Sequence, residues 1–140
     1  MKLKLIIFAI ILGFSLQLNA QTMVGLTKEE VSVLVKKEHK SFRKDASIIK
    51  QRFNYLKYVN GTRTRTWIIY FTDEDICKTS KLICDYGDYE DMVLDLQSKF
   101  RQTGENTWEF MQGTDTIHVE LIKQEWYFTI RESKTKRAGE

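Results

Sequence analysis

Cys77 and Cys84 lie seven positions apart, among the carboxylates of Asp73, Glu74, Asp75, Asp85, Asp88, Glu90 and Asp91. Thiols and acids at this density are the raw material of a metal site, a redox switch or a disulfide strap. Zinc and thioredoxin-type motifs favour two residues between the cysteines, and six intervene here. In an oxidising compartment a nearby pair is most often a disulfide. With Ser80-Lys81 as a hairpin turn, the cysteines would face each other within bonding reach, and the closed loop would contribute roughly 2–3 kcal/mol. The spacing therefore predicts a Cys77–Cys84 disulfide, with two buried or free thiols as the alternative. The stretch "DEDICKTSKLIC" offers calcium Asp73 and Asp75 and then breaks the EF-hand pattern. Asp85, Asp88, Glu90 and Asp91 suit a helix N-terminus, whose dipole favours acids. No metal and no cofactor is expected.

Other reactive types are sparse. His39 and His118 have no serine or cysteine at a recognisable spacing, and phosphate-loop, H-E-x-x-H and G-x-S-x-G motifs are missing. No catalytic residue is expected, and a small hydrolase is the least favoured reading. Tyr55, Tyr58, Arg63 and Arg65 combine residue types enriched at interfaces, and they form the candidate partner surface. Trp126 and Phe128 are expected to alternate into the core, with Tyr127 outward. Asn60-Gly61-Thr62 and Asp115-Thr116-Ile117 match short glycosylation sequons, at Asn60 and Thr116.

The elements that must position these residues follow an N-terminal leader. Lys2 and Lys4 precede an apolar run from Leu5 to Leu16, and Ala20-Gln21 is the expected cleavage site of a signal peptide spanning 1–20. The run falls short of the roughly 18–20 apolar residues of a membrane span. Cleavage leaves 20 basic and 19 acidic residues, a net charge of about +1, which is no nucleic-acid signature. The stretch from Asp73 to Asp95 holds eight acids against Lys78 and Lys81, so the surface is bipolar and suited to oriented binding or self-association.

In "LTKEEV", Thr27 and Glu30 form a capping box, with Leu26 and Val31 as a staple, and an amphipathic helix is predicted over 28–43. Asn60-Gly61 reads as a two-residue turn between strands, placing Val59 opposite Thr62 and Tyr58 opposite Arg63. A second helix runs from about Tyr89 to Arg101 behind Asp85 or Asp88. "TWEFM", "TIHVELI" and "EWYFTIRE" read as three further strands. One domain over 21–132 and a flexible tail over 133–140 result. The halves read as a degenerate α-β-β-β duplication, and the fold class as α+β, two-layered, with two amphipathic helices on one face of an antiparallel sheet.

Gly25-Leu26-Thr27-Lys28-Glu29-Glu30-Val31 resembles the helix opening of small bacterial envelope modules of the outer-membrane-assembly lipoprotein and β-lactamase-inhibitor-like kind. The resemblance implies a small α+β unit that binds other proteins and has no catalytic centre. Ala20-Gln21 lacks the lipid-bearing cysteine of the lipoprotein members, so anchoring is not implied. Asn19-Ala20-Gln21 and the layout are similar to uncharacterised small secreted proteins of Gram-negative bacteria, which implies a periplasmic or extracellular location. The expected function is a non-enzymatic exported module that binds another envelope or extracellular protein, with no nucleic acid and no stable membrane span. A small-molecule or ion-binding module, for calcium or a sugar, is the alternative. Oligomeric state is not legible.

Overall fold

The computed structural model describes residues 22–47 and 52–135. The leader and its Ala20-Gln21 junction lie outside the described residues, as does the end of the expected tail. Among the described residues no helix is long and apolar enough to cross a membrane.

Helix α1 (Lys28–Glu38) starts where the sequence predicts. The Glu30 N–H donates to Thr27 Oγ1 at 3.2 Å and the Thr27 N–H donates to Glu30 Oε2 at 2.8 Å, so two otherwise orphaned donors are satisfied. The helix buries Val31 and Val35 and stops at Glu38, short of the expected residue 43. Phe42 instead opens the edge strand β1 (Phe42–Lys44), where its ring meets Trp67 edge-on at 5.4 Å. Packing against an indole outweighs continuation of the helix.

The chain continues through β2 (Tyr55–Asn60), β3 (Arg65–Phe71), β4 (Cys77–Asp85), a 3₁₀ turn at Tyr86–Asp88, and α2 (Tyr89–Lys99). Then come β5 (Arg101–Gly104), β6 (Thr107–Gln112), β7 (Asp115–Lys123) and β8 (Tyr127–Lys134). All eight strands form one antiparallel sheet in the order β1-β2-β3-β4-β8-β7-β6-β5. With two helices this is an α+β fold. Strand β8 reaches Lys134, and the Thr135 N–H donates to Thr116 O at 2.9 Å, so the ordered domain extends past the expected boundary at 132.

Three local expectations are corrected. Val59 pairs with Thr66 and Tyr58 with Trp67, so the β2–β3 loop is wider than two residues. The Asn60 side chain holds that loop: Oδ1 accepts the Arg65 N–H at 2.9 Å, Nδ2 donates to the hydroxyls of Thr62 and Thr64, and the left-handed residue is Arg63. Ser80 and Lys81, read as a turn, lie mid-strand opposite Glu132 and Arg131. Trp126, read as core, is 78% exposed, because β8 begins only at Tyr127; Phe128 is fully buried as expected.

The registers define two faces. Leu56, Ile69, Ser80, Glu132, Val119 and Trp108 form one row across the sheet, and Tyr58, Trp67, Leu82, Ile130 and Leu121 form the next on the same side. Val31 and Val35 of α1 cluster with Ile69, Phe71 and Cys77 of this face. Leu96 of α2 clusters with Cys84, Trp108, Leu121, Phe128 and Ile130, also of this face. Phe110, stacked on Phe100 at 4.5 Å, packs against both clusters. Each fully buried large side chain contributes roughly 1.5–3 kcal/mol by leaving water. The outermost strands are short and charged: β1 is Phe-Arg-Lys, and β5 is exposed throughout. Such edges discourage strand addition.

Candidate functional site

The structure disperses most of the residues singled out in the sequence. Cys77 and Cys84 occupy one strand, and seven extended residues separate them by about 23 Å at the usual rise. Both are free thiols, buried in different core clusters, so the expected disulfide does not form. Burial pushes the Cys77 thiol up to about 12 and the Cys84 thiol up to about 11, which leaves neither as a nucleophile near neutrality.

The candidate partner residues separate as well. Tyr58 is buried in the core, and Tyr55 lies on the opposite face of the sheet. Arg63 sits in the β2–β3 loop. Arg65 Nε donates to Asp88 Oδ2 at 2.9 Å, which holds the Asp88 carboxyl below the usual carboxylate range. The acidic stretch divides in two. Asp73, Glu74 and Asp75 form the β3–β4 turn, while Asp85, Asp88, Glu90 and Asp91 cluster around the start of α2, at the other end of β4. Among the described residues no group of three or more His, Cys, Asp or Glu side chains is placed to hold a metal ion.

What the registers do assemble is the face of the sheet turned away from the core. No helix packs on it among the described residues, since the buried residues of both helices cluster with the other face. One row runs Tyr55, Tyr70, Thr79, Ser133, His118 and Glu109. The next runs Lys57, Ile68, Lys81, Arg131 and Glu120, and a third runs Val59, Thr66, Ile83, Thr129 and Ile122. Tyr70 meets the Phe53 ring edge-on at 6.4 Å and lies beside Tyr55 at 6.3 Å. Phe53 is 56% exposed, so this aromatic group opens to solvent.

Cations surround it. Lys81 Nζ sits 5.4 Å from the Tyr70 ring centroid, with no carboxylate in ion-pair reach among the described residues. Lys57 Nζ pairs with Asp45 Oδ2 at 3.0 Å and donates to Ser47 Oγ at 2.9 Å. The Asp45 carboxyl is held down to about 2, first by the Ser47 N–H and then by the Lys57 ammonium. Arg131 pairs with Glu120. Arg43 opposes Val59 on the same side.

The chain matches no protein-family model, no curated protein and no solved structure. Its own geometry is therefore what assigns a role. Ser133, His118 and Glu109 are neighbours across three strands and are the residue types of a nucleophile, a base and its orienter, yet no hydrogen bond joins them. What remains on this face is an aromatic and cationic platform with apolar side chains between the charges, an arrangement fitted to recognition.

Of this platform the sequence reading found Tyr55 alone. Tyr70, Lys81 and Arg131 come from three strands, and β8 is distant in sequence from the other two, so no local pattern joins them. The alternation of Thr66, Ile68 and Tyr70 against Trp67, Ile69 and Phe71 was the available signal. A hollow of about 1040 Å³ lies elsewhere, beside Leu26, Ile76 and the Asp115–Lys134 ion pair.

Proposed function

We propose that this protein is an exported, non-enzymatic interaction module whose open sheet face docks an acidic surface of another envelope or extracellular protein. The observation that carries the reading is the aromatic group of Phe53, Tyr55 and Tyr70 beside Lys57, Lys81 and Arg131 on a face that neither described helix covers. Export rests on the leader-like composition of residues 1–20. Tyrosine and arginine dominate the energetics of many interfaces, and the cations select a partner of opposite sign. The short charged edges disfavour recognition by strand addition and leave the face as the contact surface.

The same reading includes a two-layer architecture built by duplication, with one strand more in each half than the α-β-β-β unit expected from the sequence. It is supported by a strand order that is unchanged when β1–β4 exchange with β5–β8. Thr27 and Asp88 stand at the N-caps of the two helices, and Val31 and Val35 have counterparts in Met92 and Leu96. A half-chain of residues 22–85 should then pair with a second copy of itself along β4 and elute as a dimer. A monomeric, unfolded half would count against the duplication.

The interaction reading is tested by immobilising the mature protein and challenging it with the exported fraction of its own cell. Tyr70→Ser with Lys81→Glu should abolish capture of any partner, and capture by the unmodified protein should weaken with salt. Leu94→Gln, on the exposed side of α2 and across the sheet from the platform, should leave capture unchanged. Identical capture by the Tyr70/Lys81 variant would sink the proposal. The mass of the exported chain, starting at Gln21 or elsewhere, tests the leader separately.

A further inference from the structure

A core-facing row through the middle of the sheet has a polar interruption. Ser80 and Glu132 are direct partners across β4 and β8, in a row whose other members are Leu56, Ile69, Val119 and Trp108. Above them a cleft of about 300 Å³ opens toward the C-terminal ends of α1 and α2. Its walls are apolar, with Met23, Leu82, Leu96, Phe100 and Ile130, and Trp67 flanks the floor. That volume and lining are those of a small-molecule site at the lower end of the size range.

The polar groups at the floor are incompletely used. Glu132 Oε2 accepts the Thr22 hydroxyl at 2.5 Å, while Oε1 receives no donor among the described residues. Ser80 Oγ, on a residue 3% exposed, accepts Trp67 Nε1 at 2.6 Å and keeps its own proton. Lys99, the lysine lining the cleft, is held at the rim by Asp95 at 2.8 Å. His39, the other basic residue of the lining, stands edge-on to Trp67 at 4.9 Å, and burial lowers its pKa, so it is neutral near pH 7. Glu132 is partly buried, and no cation pairs with it among the described residues, so the desolvation of its carboxyl is not offset by a counter-charge. Desolvation raises the Glu132 pKa accordingly.

We infer that this cleft binds a small organic ammonium ion: a primary amine with a compact apolar body, its head on Glu132 and Ser80 and its body against Trp67, Leu96 and Ile130. The carboxylate supplies the counter-charge, the serine hydroxyl a second acceptor, and the indole a face that attracts cations. Size and shape exclude peptides and polysaccharides. The site lies on the helix side of the sheet, so it is independent of the partner-docking face.

The probe is phenethylammonium, with 2-phenylethanol as its neutral counterpart, titrated into the mature protein and followed by Trp fluorescence and calorimetry. The amine should bind saturably and at least about tenfold more tightly than the alcohol, as a charge-assisted hydrogen bond to a partly buried carboxylate would give. Glu132→Gln, checked for folding by circular dichroism, should reduce amine affinity at least about tenfold and leave the alcohol unchanged. Met92→Trp, filling the cleft, should weaken both ligands, while Tyr70→Ser on the docking face should alter neither. Equal affinity for amine and alcohol, an unaffected Glu132→Gln variant, or no saturable binding at millimolar amine would each overturn the assignment.

Discussion

Arg65 Nε meets Asp88 Oδ2 at 2.9 Å, joining the first residue of β3 to the N-cap position of α2. Asp88 makes no capping hydrogen bond to the helix it precedes, so its carboxylate serves the strand instead. The pair is partly exposed, and each partner's removal should cost about 0.5–1 kcal/mol. Because Arg65 lowers the folded-state pKa of Asp88, the contribution is complete above the unfolded value and is lost as pH falls through the folded one. Double-mutant cycles of Arg65→Met and Asp88→Asn, by urea melts over a series of pH values below 7, should show full coupling at pH 7 that declines as the solution is acidified.

Glu132 has the opposite sign. Its folded pKa is raised, so the fold is most favoured while the carboxyl is protonated, below the unfolded value of 4.5, and stability declines as pH rises through the folded value. The groups sharing its cleft are His39 from the end of α1, and Asp95 and Lys99 from α2. Glu132→Gln should stabilise the ligand-free protein at pH 8 by about 1–3 kcal/mol and have little effect at pH 4. Equal effects at both pH values would show that the carboxyl is solvated.

The thiols should be silent in the folded chain. With pKa values near 12 and 11 and burial in the core, Cys77 and Cys84 should resist iodoacetamide at pH 8 and react on unfolding in urea. Intact mass should show two free thiols even in exported material. Loss of two protons would contradict the strand placement. Cys84→Ser, which puts a hydroxyl in an apolar cluster, should cost about 1–3 kcal/mol, more than Cys84→Ala.

Thr27→Ala removes one half of the α1 capping box and should destabilise the fold by about 1 kcal/mol. For a domain of this size that lowers Tm by roughly 3–6 °C, measurable by circular dichroism. Thr27→Asp should restore most of it, since aspartate serves the same cap.

Legibility tracked the range of the interaction. The start of α1 was readable because Thr27, Glu30 and Val31 interact within one turn. Its end was not, because Phe42 answers to Trp67, 25 positions away. Strands β6 to β8 announced themselves through alternation, whereas the short β1 and β5 are too brief to show a period. Asn60-Gly61 was recognisable as a turn, but the outward amide contacts of Asn60 set its width. The cysteines misled because β4 carries a register shift between Cys77 and Thr79, opposite Tyr70 and Phe71, which puts both thiols on the core face at an odd spacing. The pairings Ser80 with Glu132 and Lys81 with Arg131 depend on which strands become neighbours, and local sequence does not encode that choice.

Both borders of the sheet end in a few residues of charged, solvated backbone, Phe42–Lys44 on one side and Arg101–Gly104 on the other. Concentrated copies therefore have no long, ragged hem along which to knit into fibrils. Such borders let the molecule be abundant without becoming its own polymer.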